Sequence, residues 1–215
     1  MKRFAKTWIT RLWIALFLVG LSLGTFSAVS FAESHLVSDQ YGGGIIFYIL
    51  QPGDPGYVQG QQHGLIAAPA DVVVPTAGVI AASGDLRWSG GQDVKEKNAD
   101  YAYREVSNTS NALGQGAENT KKILAKFPIA MYPATAAAAA ASYRGGGYND
   151  WYLPSKDELN KLYLKKDVVG GFLDCDYWTS SEAKGISSWV QLFPNGYQFL
   201  DNKMDYDRVR AIRSF

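Results

Sequence analysis

Apolar and polar positions divide the chain into one long apolar run near its start and then a series of short segments separated by glycine, proline and polar turns. The segment from Tyr41 to Leu50 begins with three glycines and continues as Ile-Ile-Phe-Tyr-Ile-Leu. Such a short, β-branched and aromatic run predicts a buried strand. Residues 51–62 hold Pro52, Gly53, Pro55, Gly56 and Gly60 and read as a loop. Residues 64–68 read as the returning strand of a first hairpin. Residues 69–110 are weakly patterned, with short strands at 72–74 and 86–88. Helices are predicted at 118–127, with Ile123, Leu124 and Phe127 on one face, and at 135–143, where six alanines follow Thr135. The end of the chain reads as a meander. Strands at 177–181 and 188–193 lead into a Pro194-Asn-Gly196 turn and a strand at 197–200, and a closing strand covers 207–215. The pattern predicts an α+β protein: antiparallel strands with about three short helices.

The third helix has the sharpest start. Pro154 favours an extended Leu153, Ser155 is placed to cap, and Glu158 stands three residues on, where it can bond back to the Ser155 backbone. Leu159, Leu162 and Tyr163 then form one apolar stripe over 156–164.

Charge and composition change the picture at the amino terminus. Lys2, Arg3, Lys6 and Arg11 flank an apolar run, and Ser30-Phe-Ala32 supplies small residues at its exit. A signal peptide of residues 1–32, cleaved before Glu33, is expected; an uncleaved anchor is the rival reading. With no cysteine after the run, a lipid anchor is not expected. The expected product has a short amino-terminal segment, 33–39, one domain over 40–215, and no membrane span after cleavage. Removing the four early basic residues from the 21 leaves 17 against 20 acidic residues, a net of −3, which argues against a nucleic-acid binder. Cys175 is the single cysteine, so no intramolecular disulfide can form. It is either a buried structural thiol or a site of pairing between chains.

For catalysis the sequence offers little. His35 and His63 lack metal-ligand spacing. Ser155, Ser180 and Ser181 have no evident base, and capping and turn formation account for Glu158 and Asp150. Asn149, Asp150, Asp174 and Asp176 supply oxygens without calcium-loop spacing. A non-enzymatic protein with no cofactor is expected.

Five segments recur in a fixed order: Gly43-Gly-Ile-Ile-Phe-Tyr48, His63-Gly-Leu-Ile-Ala67, Asp150-Trp-Tyr-Leu-Pro-Ser-Lys-Asp-Glu-Leu159, Tyr177-Trp-Thr-Ser-Ser-Glu182 and Val209-Arg-Ala-Ile-Arg-Ser-Phe215. Together they make residues 40–215 resemble the C-terminal domain of the Legionella collagen-like adhesin. The third and fifth also look like the formylglycine-generating enzyme and C-type-lectin-like folds. The resemblance implies a scaffold of strands around short helices and an exported, adhesin-like module at the bacterial surface that recognises sulfated glycosaminoglycans. It also brings calcium in by analogy with lectins. The chain departs from it in lacking any Gly-X-Y repeat, so no collagen stalk supplies a trimer or avidity, and the oligomeric state stays open. The cysteine pair of some formylglycine-generating enzymes is also missing.

Binding a sulfated sugar calls for cations and aromatic faces. Arg208, Arg210 and Arg213, with Lys203, concentrate positive charge near the end of the sequence, and Lys156 and Lys161 lie on the third helix. Trp151, Trp178 and Trp189 are the stacking candidates. Against this, Arg208 and Arg210 can pair with Asp205, Asp207 or Glu182, and tryptophans in strands mostly fill cores. A different class of partner, a surface protein met through exposed strand edges, would make the chain an interaction or structural subunit of the envelope or of a surface appendage.

Overall fold

A computed structural model describes residues 34–74, 84–90 and 105–215. The expected signal peptide, and residues 75–83 and 91–104 of the weakly patterned region, lie outside the described residues. Among those described, no helix is long and apolar enough to cross a membrane.

The fold is α+β. Strands β1 (Gln40–Tyr41), β2 (Gly44–Ile49), β3 (Gly64–Ala67) and β9 (Ile212–Ser214) form a four-stranded antiparallel sheet in the order β1-β2-β3-β9. A second sheet runs β4-β8-β5-β6-β7. It comprises β4 (Asp85–Leu86), β8 (Asp207–Arg208), β5 (Asp176–Glu182), β6 (Ser187–Leu192) and β7 (Gln198–Asn202). Its one parallel contact joins β5 to β8 at Tyr177 and Arg208. Helices α1 (Gly116–Lys126), α2 (Ala136–Ser142) and α3 (Lys156–Tyr163) occupy the three predicted places, and a short α4 (Lys166–Val169) follows.

The long apolar reading of the first hairpin has a simple cause. Ile46 and Ile66 enter one core cluster with Trp88, Trp178, Ile123 and the alanines of α2. Phe47 and Leu65 point the other way, into a second cluster with Leu159, Leu162, Tyr177 and Phe193. Both faces of the hairpin are covered, so successive side chains are buried in opposite directions. Ala136 to Ala140 are all buried, and their small side chains let α2 lie close to its neighbours.

Trp151-Tyr-Leu-Pro-Ser155 is a buried strut between the sheets. Tyr152 exchanges backbone hydrogen bonds with Ile212 of β9 at 2.8 and 3.0 Å, and the Pro154 carbonyl accepts from Ser180 N of β5 at 2.7 Å. Thr120 of α1 holds the intervening Leu153 through both its N–H (3.1 Å) and its carbonyl (3.3 Å). The predicted capping box then starts α3: Ser155 Oγ accepts from Glu158 N at 3.3 Å, and Glu158 Oε2 accepts from Ser155 N at 2.7 Å. Glycine is required where the amino-terminal turn meets this region. Gly43 has φ +85°, and a Cβ there would run into the backbone of Gly145.

The closing strand needs correction. Residues 207–215 are not one strand: β8 belongs to the second sheet and β9 to the first, and Val209–Ala211 cross between them. Bonds from Val72 N to the Val209 carbonyl and from Ala68 N to the Ala211 carbonyl, each 2.9 Å, hold the crossing in place. A single strand would have set Arg208 and Arg210 on one face, and the change of sheet separates them.

Candidate functional site

The crossing sends the three carboxy-terminal arginines into different surroundings. Arg208 places Nε 2.7 Å from Asp85 Oδ1 and Nη1 3.9 Å from Asp71 Oδ2. Arg210 is fully buried. Its Nε and Nη2 meet Asp71 Oδ1 at 2.9 and 2.8 Å, its remaining donors reach the carbonyls of Ala68, Gly170 and Gly171, and its plane lies 3.9 Å from the Phe172 ring centroid. Arg213 is bidentate to Asp150 and stacks on Tyr148 at 3.7 Å. That contact holds the Asp150 carboxyl below its ordinary value and raises Arg213. Lys203 is also fully buried, paired with Glu182 and donating to the Gly185 carbonyl at 2.6 Å. Desolvation lowers Lys203 and raises Glu182, each toward its neutral form.

These cations are therefore not a binding patch. Arg210 and Lys203 are sealed in the interior and Arg213 nearly so, and each is paired with a carboxylate, Asp71, Glu182 and Asp150 respectively. Two of the three tryptophan candidates are corrected in the same way. Trp178 is buried with Nε1 donating to the Leu86 carbonyl at 2.6 Å, and Trp151 is buried with Nε1 donating to the Gly145 carbonyl at 3.2 Å. In both, the indole fills the core and its N–H is satisfied by backbone.

Lys156, Lys161 and Trp189 remain at the surface. The Lys156 ammonium lies 3.3 Å from the Trp189 ring centroid, a close cation–π contact between the first residue of α3 and β6. Trp189 is paired with Leu200 of β7, and Gln191 with Gln198, so all four share one face of the sheet. The α3 helix is tied onto that face. Gln198 Nε2 donates to the Lys156 carbonyl at 2.9 Å, and Gln191 Nε2 donates to Asn160 Oδ1 at 2.9 Å. Leu200 is 47% exposed, and β7 is an edge strand. Lys161 lies elsewhere, 4.5 Å over the Tyr48 ring, whose hydroxyl donates to Asp54 at 2.7 Å. Among the described residues neither Lys156 nor Lys161 belongs to an ion pair.

The residues weighed for catalysis are engaged in structural contacts. Ser155 Oγ and Ser181 Oγ donate to the carbonyls of Ala112 and Ser110, both at 2.8 Å, and Ser180 Oγ accepts from Asn119 at 3.2 Å. His63 contacts the Phe215 carbonyl and Gln61. Burial pushes the Cys175 thiol up to about 11, away from the reactive thiolate. The oxygens weighed for calcium are dispersed: Asp150 serves Arg213, and Asp176 stands in β5. Among the described residues no group of three or more His, Cys, Asp or Glu side chains is arranged to hold a metal ion.

A carboxylate cluster escaped sequence reasoning. Asp201, Asp205 and Asp207 follow one another across the β7–β8 connection and act electrostatically on one another and, with Asp85, on Asp207. Asp176 of β5 belongs to the same set. The acidic spacing in Asp201-Asn-Lys-Met-Asp-Tyr-Asp207 was the available signal, but only the parallel β5–β8 contact reveals the fourth member.

The fold and this surface define an α+β protein with a tryptophan face capped by the Lys156 ammonium. Compared with known proteins, the sequence matches no family model and no curated protein.

Proposed function

We propose that the protein is an exported, non-catalytic, adhesin-like binding module that recognises an anionic polysaccharide, a sulfated one foremost, or another cell-surface glycan. The observation that carries this reading is the Lys156–Trp189 pair: an ammonium with no carboxylate partner among the described residues, held over an aromatic ring on a sheet face that also presents Gln198 and Leu200. A sulfate would take charge-assisted hydrogen bonds from Lys156. A sugar ring would lie against Trp189 and the exposed Leu200. The proposed site thus moves from the carboxy-terminal arginines to the junction of α3 and β6. Replacing Lys156 and Trp189 together by Ala in the folded protein should abolish retention on immobilised heparin, and unchanged retention overturns the assignment of this face.

A second reading rests on β7, an edge strand among the described residues, where exposed Leu200 accompanies strand backbone that could take a strand from a surface protein. A stable protein complex that survives Lys156→Ala, in a protein with no glycan affinity, would favour it.

A further inference from the structure

We propose that Asp176 and Asp207 form a proton-binding pair that couples the packing of β4, β5 and β8 to pH. In the parallel contact between β5 and β8, Tyr177 is the partner of Arg208. The residues just before them, Asp176 and Asp207, are therefore neighbours on one face, with backbones about 4.8 Å apart across the ladder. Asp207 is 8% exposed, and its Oδ2 is buried without a hydrogen-bond partner. Asp176 Oδ1 is in the same condition. A buried carboxylate oxygen with nothing to accept from is costly when ionised, and a second carboxylate beside it compounds the cost. A proton relieves both.

The surrounding charges reinforce this. From β7 comes Asp201, from the connection Asp205, and from β4 Asp85, and all three raise Asp207. Arg208, the nearest cation in sequence, is directed to Asp85 and Asp71. Arg87 acts on Asp205 and lies 4.7 Å over the Tyr206 ring. Cys175, next to Asp176, is itself raised by burial. Burial first, and then the neighbouring carboxylates, push Asp207 from 3.8 up to about 8, and Asp176 is raised by burial and by Asp201. A raised folded value means that the unfolded chain releases this proton at lower pH than the folded one. The stabilisation is complete below about 3.8 and is lost as pH rises toward about 8.

The test is a carbon-13 titration of the aspartate side-chain carboxyls in the whole protein, with melting temperatures measured alongside. One carboxyl should titrate with a midpoint near 8 and vanish in Asp207→Asn. Asp176→Asn should move that midpoint down, which keeps the proposal testable if Asp207→Asn does not fold. Above the Glu158 titration, the melting temperature of the wild type should still fall between about pH 6 and 8, and that of Asp207→Asn should stay level there. Aspartates that all titrate below about pH 5 overturn the pair. A calcium-dependent rise in melting temperature that is absent from Asp207→Asn would also overturn it, by making a divalent cation the occupant.

Discussion

Arg213 holds Asp150 with two parallel hydrogen bonds, Nε to Oδ1 at 2.7 Å and Nη2 to Oδ2 at 2.8 Å. The pair ties the last strand to the segment that opens the buried strut at Trp151. Asp150 is about half exposed, so solvent screens the interaction, and Asp150→Asn should cost about 1 kcal/mol or less at neutral pH. The Asp150 carboxyl is lowered in the folded protein, so its contribution is present above the ordinary value of 3.8 and fades as pH falls through the folded value. Melting curves of the wild type and Asp150→Asn should therefore converge in strong acid. A gap that persists there contradicts this role.

Arg210 has the more demanding position. Its guanidinium is fully buried, and its loss leaves the Asp71 carboxylate without its closest partner. Arg210→Ala should destabilise the protein by about 3–5 kcal/mol. Arg210→Lys should recover little, because an ammonium cannot reproduce the fork that reaches Asp71 and three carbonyls. Urea denaturation gives both numbers, and a loss under about 1 kcal/mol for Arg210→Ala would show that the site is not sealed.

Ser155 does more than cap α3. Its hydroxyl also donates to the Ala112 carbonyl at 2.8 Å, which fastens the helix start to the loop before α1. The loss in Ser155→Ala should reach the upper end of the capping range, about 2 kcal/mol. An unchanged melting temperature would contradict the capping box.

Glu158 completes that box from a buried position. Burial pushes its carboxyl up to about 6, while hydrogen bonds from Ser155 and Gly114 pull the other way. With a folded value above 4.5, its contribution is full below about 4.5 and is lost as pH rises through about 6, amounting to about 2 kcal/mol. Glu158→Gln should remove that slope. Stability that depends on pH equally in both proteins would place the titration elsewhere.

The elements were more legible in the sequence than the site. Periodicity and capping located α1, α2 and α3 to within a few residues, because Ser155-Lys-Asp-Glu158 and the alanine run are local signals. The hairpin β2–β3 was equally plain, since strands covered on both faces read as continuous apolar runs. The change of sheet at Val209 was hidden. A strand alternation runs through Arg208, Val209, Arg210 and Ala211, and its only local break is the phase slip at Ile212, where β9 begins. The burial of the three arginines follows from carboxylates distant in sequence, Asp71, Asp85 and Asp150, and single-chain periodicity does not show such pairings. Trp189 and Lys156 were each identified, but their contact depends on the docking of α3 on β6.

Retention of the purified protein on immobilised heparin across a salt series tests the central claim most directly. Retention at low salt should exceed that of a protein of matched charge, fall steeply as salt rises, and disappear when Lys156 and Trp189 are both replaced by Ala. Absence of retention at low salt would contradict polyanion recognition and leave the β7 edge as the surface to pursue.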